Sequence, residues 1–161
     1  MSQSDVSLEA LLRTYETGPE QLMSAVAGLS DDQLDAQPVA GRWSVRQVIC
    51  HLADFEIVYA DRMKRVLAED NPTLMSGDPN DFARRLNYAS RNVGEELQLI
   101  HQIRRHVAGI LRSCDVEEFQ RTGVHSTDGP LTLETLLERV TGHVPHHLTF
   151  IEEKRRLLLS N

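Results

Sequence analysis

Three histidines are the residues whose type and spacing could do chemistry in this chain: His51, and the pair His143 and His147 in the run His143-Val144-Pro145-His146-His147. On a helix, i, i+4 spacing puts two rings on one face with Cβ atoms roughly 5–6 Å apart, close enough to share a cation. His51 offers a third imidazole, because it too falls on the apolar stripe of a strong helical pattern. Taken singly, a histidine on such a stripe reads as a core residue hydrogen-bonded to backbone. Three that converge read differently. Buried without a common partner they leave several nitrogens to satisfy at roughly 1–3 kcal/mol each, whereas one divalent cation uses three lone pairs at once. Imidazole-rich donor sets take zinc or nickel first, and iron, manganese or cobalt as well. Three protein nitrogens leave coordination positions open, as catalytic sites do. Two chemistries follow: hydrolysis, if water fills the open position, or transfer of a low-molecular-weight thiol held as its nucleophilic thiolate.

The remaining reactive side chains are few. Asp54, one turn after His51, could orient a ligand ring as a carboxylate behind the metal. His125, in an expected loop before the last helix, could overhang the open end of the bundle and move protons. No catalytic residue beyond these two candidates stands out. Cys50 and Cys114 lack a CxxC partner and read as free thiols, with Cys50 filling core beside His51. Trp43 reads as packing beneath the second helix, and His101, His106 and His146 as surface or flank residues.

Four long helical segments must position these groups. The first spans about Val6 to Leu29, with Gly18-Pro19 expected to kink or break it. A connector from Ser30 to Trp43 holds a short capped turn at Ser30-Asp31-Asp32-Gln33. Ser44-Val45-Arg46-Gln47 is a capping box, and the second helix runs from it toward Asp70. A third is expected from about Asp81 to Ser113 on a seam of Phe82, Leu86, Ala89, Val93, Leu97, Ile100, Ile103, Val107 and Ile110. Cys114 to Pro130 reads as loop. The fourth helix begins near Thr132, and Pro145 within it implies a local kink that aims the paired rings. The expected fold is an all-α four-helix bundle with a short extra turn between helices 1 and 2, in which sites are built from facing helices.

Composition narrows the partners. The 161 residues carry 24 acids against 17 bases for a net charge of −7, with no basic stripe, so nucleic acid is not an expected partner. No run approaches the 18 apolar residues of a membrane span, and the start Met1-Ser2-Gln3-Ser4-Asp5 has no leader character. A cytoplasmic protein acting on a small molecule is the expectation.

The segment from Gly41 to Glu56, GRWSVRQVICHLADFE, resembles the Trp-Ser…His-Leu-Ala-Asp signature of the DinB-like (YfiT-like) metalloenzyme family. Gly129 to Glu134 and Val140 to Leu148 resemble that family's second signature. The resemblance covers nearly the whole chain and implies a single DinB-like domain over residues 1–161. It implies a four-helix bundle whose metal is held by His51, His143 and His147, the three residues chosen above without it. Relatives of the family are associated with bacillithiol- or mycothiol-type transfer and thiol-dependent isomerisation, so it implies thiol transfer to a small electrophile ahead of hydrolysis. A non-enzymatic metal-binding or stress-related protein is the reading from another class. Homodimerisation is also implied. One departure concerns substrate contacts: many members have Asp after the first His of the pair and Gln near positions 149 and 150, where this chain has Val144, Thr149 and Phe150.

Overall fold

The computed structural model describes residues 3–159; Met1 and Ser2, part of the start read above as leaderless, lie outside it, as do residues 160–161. Four long helices, α1 (Gln3–Val26), α3 (Val45–Ala68), α5 (Val93–Leu111) and α6 (Leu133–Leu159), form the bundle, with the short α2 (Asp31–Asp35) and α4 (Pro79–Arg85) in the connections. Around the bundle, α1 packs on α5 and α6, and α3 packs on the same two. The helices that carry His51 and the His143/His147 pair are therefore neighbours, although far apart in sequence.

Both expected caps form. Ser44 Oγ accepts from Gln47 N at 3.2 Å while Gln47 Oε1 accepts from Ser44 N at 2.8 Å, which fixes the start of α3. Ser30 and Gln33 make the same reciprocal box on α2, the extra turn expected from the sequence. Thr132 Oγ1 accepts from Thr135 N at 3.0 Å and opens α6.

Three sequence expectations are corrected. The helix expected from Asp81 to Ser113 is broken: α4 ends at Arg85, Asn87 sits in the left-handed region at φ 52°, a 3₁₀ turn covers Tyr88–Ser90, and Asn92 caps a new helix by accepting from Glu95 N. Asparagine tolerates φ > 0 and competes for backbone donors, so two asparagines override the apolar spacing. Loop 114–130 contains strands. β1 (Thr73–Leu74) runs parallel to β2 (Thr122–His125), which pairs antiparallel with β3 (Gly129–Thr132) around Ser126-Thr127-Asp128, and Gly129 takes the positive φ (76°) such a three-residue turn needs. These strands are too short to show a period in sequence.

The third correction is to the break half of the expectation at Gly18-Pro19: α1 continues through it as one helix. Proline supplies no N–H to the carbonyl four residues earlier, Tyr15 O; Arg104 Nη1, from α5, donates to that carbonyl at 2.9 Å instead. The same guanidinium, fully buried, pairs with Glu56 of α3 and donates from Nη2 to Val140 O of α6 at 2.8 Å. One side chain thus ties all four bundle helices together. It lies between two apolar clusters, one around Tyr15, Met63, Val107 and Leu137, the other around Leu22, Ile49, Leu97 and Val144. α6 likewise runs unbroken through Pro145.

Candidate functional site

The capped start of α3 places His51 two turns into that helix, 5% exposed. Arg46, buried on the same helix, braces it from the side: its Nε donates to Asp35 at 2.6 Å, Nη2 to Asp31 at 3.0 Å and Nη1 to Arg91 O at 2.9 Å. Across the interface α6 offers His143 and His147, both half-buried. The three rings meet. His51 Nε2 and His143 Nε2 are 2.9 Å apart, the ring centroids are 4.7–4.8 Å apart pairwise, and one nitrogen from each ring falls within 4.8 Å of the other two.

Burial dominates the electrostatics of this cluster. It pushes the His51 ring down to about 4, and His143 and His147 to about 3, where neighbouring imidazoles add to the effect. All three are neutral near pH 7 and keep a lone pair to offer. Their Nδ1 atoms are buried without a hydrogen-bond partner. The three unpartnered Nδ1 atoms cost stability; the nitrogens that meet, Nε2 of His51 and of His143 with one nitrogen of His147, are a donor set that a divalent cation fits. Two nitrogens 2.9 Å apart can both reach one cation at the roughly 2.0–2.1 Å typical of imidazole ligation.

A cavity of about 340 Å³ opens beside His147, with Trp43, Asn80, His146, Phe150 and Lys154 in its wall. Trp43, expected as simple packing, also faces the cluster, its ring 5.1 Å from that of His51; Phe55 lies 4.7 Å away on another side. His146, read from the sequence as a surface or flank residue, is exposed and also stacks edge-on to His147 and Phe150 at the cavity rim.

The two catalytic candidates sit elsewhere. Asp54 Oδ2 accepts from Arg91 Nη1 at 2.9 Å, and Arg91 is shared with Glu96. No His ring nitrogen of the cluster bonds to Asp54, so this carboxylate braces α3 against the start of α5 instead of orienting a ligand. His125 belongs to β2, not a loop. It is 7% exposed, and its Nδ1 faces the Thr127 and Asp128 amides at 3.4 and 3.3 Å, closing the hairpin turn. It is not among the residues lining the cavity. Cys50 is core as expected: burial pushes its thiol up to about 12, and Sγ lies 3.6 Å from Tyr88 O.

The sequence reading missed Arg104, Glu56 and Lys154. A signal existed for two of them. Arg104 stands at the i+4 position from Ile100 and three before Val107, inside an apolar stripe. Lys154 follows His147 by seven residues and so shares its face.

Fold and cluster together define the class: a four-helix-bundle protein with an interhelical nitrogen-donor cluster suited to a divalent cation. The chain belongs to the DinB superfamily, whose family model matches residues 14–151. It is 30% identical over 146 residues to a Bacillus subtilis protein named "Putative metal-dependent hydrolase YfiT", covering 90% of this chain and 82% of that one. A relative in Oceanobacillus iheyensis with the same designation is 28% identical over 148 residues, 92% of this chain and 86% of its own. The solved structure of the Bacillus subtilis protein, described as having an unusual four-helix bundle topology, superposes with a TM-score of 0.89 at 28% identity, over 97% of this chain and 89% of that one. A mycothiol-dependent maleylpyruvate isomerase shares the fold alone, with a TM-score of 0.71 at 13% identity over 92% of this chain and 62% of the isomerase.

Proposed function

We propose that the protein is a metal-dependent hydrolase of a small molecule, with His51, His143 and His147 as the protein ligands of one divalent cation, zinc or nickel before iron, manganese or cobalt. The observation that carries this reading is the convergence of three neutral imidazoles, one buried and two half-buried, from α3 and α6 beside a cavity. A divalent cation held there supplies Lewis acidity and lowers the pKa of a water toward neutrality. The chain's own residues do the positioning. Ser44 and Arg46 fix the stretch of α3 that carries His51, Arg104 holds α6 one turn before His143, and Trp43 and Phe55 shield the cluster from bulk water.

The designations of relatives at 28–30% identity support hydrolysis. Thiol transfer, the chemistry the sequence resemblance put first, is the second reading. What ranks it second is the designation of the relatives at 28–30% identity. Elemental analysis of untagged wild type and His147→Ala tests the metal centre. Close to one metal per chain in the wild type and almost none in the variant is expected; equal, substoichiometric metal in both overturns it. Turnover of an ester and amide panel by metal-restored protein, with and without added cysteine, separates the reactions. Turnover without thiol supports hydrolysis, and an absolute thiol requirement moves the assignment to transfer.

A further inference from the structure

The chain carries 24 acids and 17 bases, yet the cavity beside His147 reverses that balance. Its wall contains Arg42 and Lys154 and no carboxylate. Lys154 is 3% exposed, and burial draws its pKa below the usual lysine range. An ammonium has three N–H donors. One goes to Phe150 O on its own helix at 3.3 Å, and among the described residues no carboxylate lies within ion-pair distance of it. Buried lysines are ordinarily paired; here the Phe150 ring face lies 5.8 Å from Nζ, and the cavity wall provides no counterion.

Helix geometry places this ammonium relative to the histidine cluster. Lys154 follows His147 by seven residues, so the two share a face about 10 Å apart along the axis, and both side chains lean toward the helix start. Between them Trp43 and Phe150 supply flat apolar walls. Phosphate sites are usually built from backbone amides at a helix start or from bidentate arginine. The one buried cation of this wall is a compact ammonium among aromatics, with Arg42 exposed to solvent, and it matches a monoanion with an apolar body.

We propose that this cavity recognises a carboxylate-bearing small molecule, with the carboxylate on Lys154, the apolar body between Trp43 and Phe150, and the reacting bond toward His147. The direction of the reacting bond rests on the metal-dependent reading; the carboxylate contact does not. The chain's substrate class is then a short acid whose susceptible bond lies no more than about 10 Å from its carboxylate.

Calorimetric titration of 4-phenylbutyrate and its neutral amide, 4-phenylbutyramide, into wild type, Lys154→Met, Lys154→Arg and His147→Ala tests this. Wild type is expected to bind the acid about tenfold or more tighter than the amide, the effect of one charge-assisted hydrogen bond. Lys154→Met should lose that preference with its amide affinity kept, while Lys154→Arg keeps the preference and controls for folding. His147→Ala should also keep it. Absence of a preference in wild type, or its survival in Lys154→Met, overturns the proposal. A preference lost in His147→Ala but intact in Lys154→Met puts the carboxylate on the cation, so the metal centre stands and this site falls. A preference retained in His147→Ala whose metal content equals that of wild type leaves this site standing and removes the metal centre.

Discussion

Replacing Gly18 by alanine should destabilise the protein, although the same change in an ordinary helix stabilises it. Gly18 is buried inside α1, and a Cβ built there runs into Arg104 Nη1 and meets Val144 Cγ1 at 3.7 Å. The propensity gain from Gly to Ala is about 1 kcal/mol. Against it stands the displaced guanidinium, which leaves Tyr15 O without a donor because Pro19 has none to give, and which strains the pairing with Glu56. Breaking one partner away from a buried ion pair costs about 3–5 kcal/mol, so the net loss is about 2–4 kcal/mol. For a chain of this size that lowers Tm by roughly 5–15 °C. The assay is urea unfolding followed by far-ultraviolet circular dichroism, with Gly109→Ala as the control. Gly109 is exposed on α5 with nothing within 4 Å of its built Cβ, and alanine there should raise stability by about 0.5–1 kcal/mol. A Gly18→Ala protein as stable as the control, with an unchanged m value, refutes the role given to Arg104.

Glu56→Gln leaves Arg104 buried without its counter-charge and should cost about 3–5 kcal/mol, read as a drop in urea midpoint; a change within experimental error contradicts the pairing. Ser44→Ala removes the α3 cap and should cost about 1 kcal/mol, again by urea midpoint, and a neutral result means the cap is replaced by solvent. Arg112, hydrogen-bonded to Glu16, holds that carboxyl below its usual 4.5. A depressed folded pKa contributes stability above the unfolded value and loses it as pH falls through the folded value. Glu16→Gln should therefore be less stable than wild type at neutral pH, with the gap closing below about pH 4.5, as followed by thermal unfolding across pH; a gap that is constant with pH sinks this account.

Legibility in the sequence depended on whether a residue obeyed its local pattern. Ser44 and Gln47 form a local device with three-residue spacing, and the structure builds it as read. The His143/His147 pair was legible because i, i+4 spacing is a local rule, and His51 because it shared an apolar stripe. Asn87 and Asn92 were not weighed against the run of Phe82, Leu86 and Ala89; their backbone preferences act on single residues, which a periodicity averages away. Asp54 failed for a different reason. Its partner Arg91 is 37 residues downstream in the break that the sequence reading did not see, so a helical wheel of α3 alone points the carboxylate at the wrong group. Arg104 was hidden because a charged residue between Ile100 and Val107 adds nothing to an apolar period.

Buried polar groups bear on the site itself. Three unsatisfied imidazole nitrogens and a nearly unpaired lysine in one half of a bundle oppose folding. The opposing stability must come from elsewhere in the same helices, and two apolar clusters supply it. Between them the Arg104 guanidinium reaches Tyr15 O, Glu56 and Val140 O. Apolar contacts are non-directional and tolerate sliding of one helix along another; a planar fork with fixed donors does not. Val140 lies one turn before His143, and Glu56 five residues after His51, so the fork sets the register of the two histidine-bearing helices against each other. In this bundle the oily clusters hold the helices together, and the buried ion pair determines where along α3 and α6 the three rings meet.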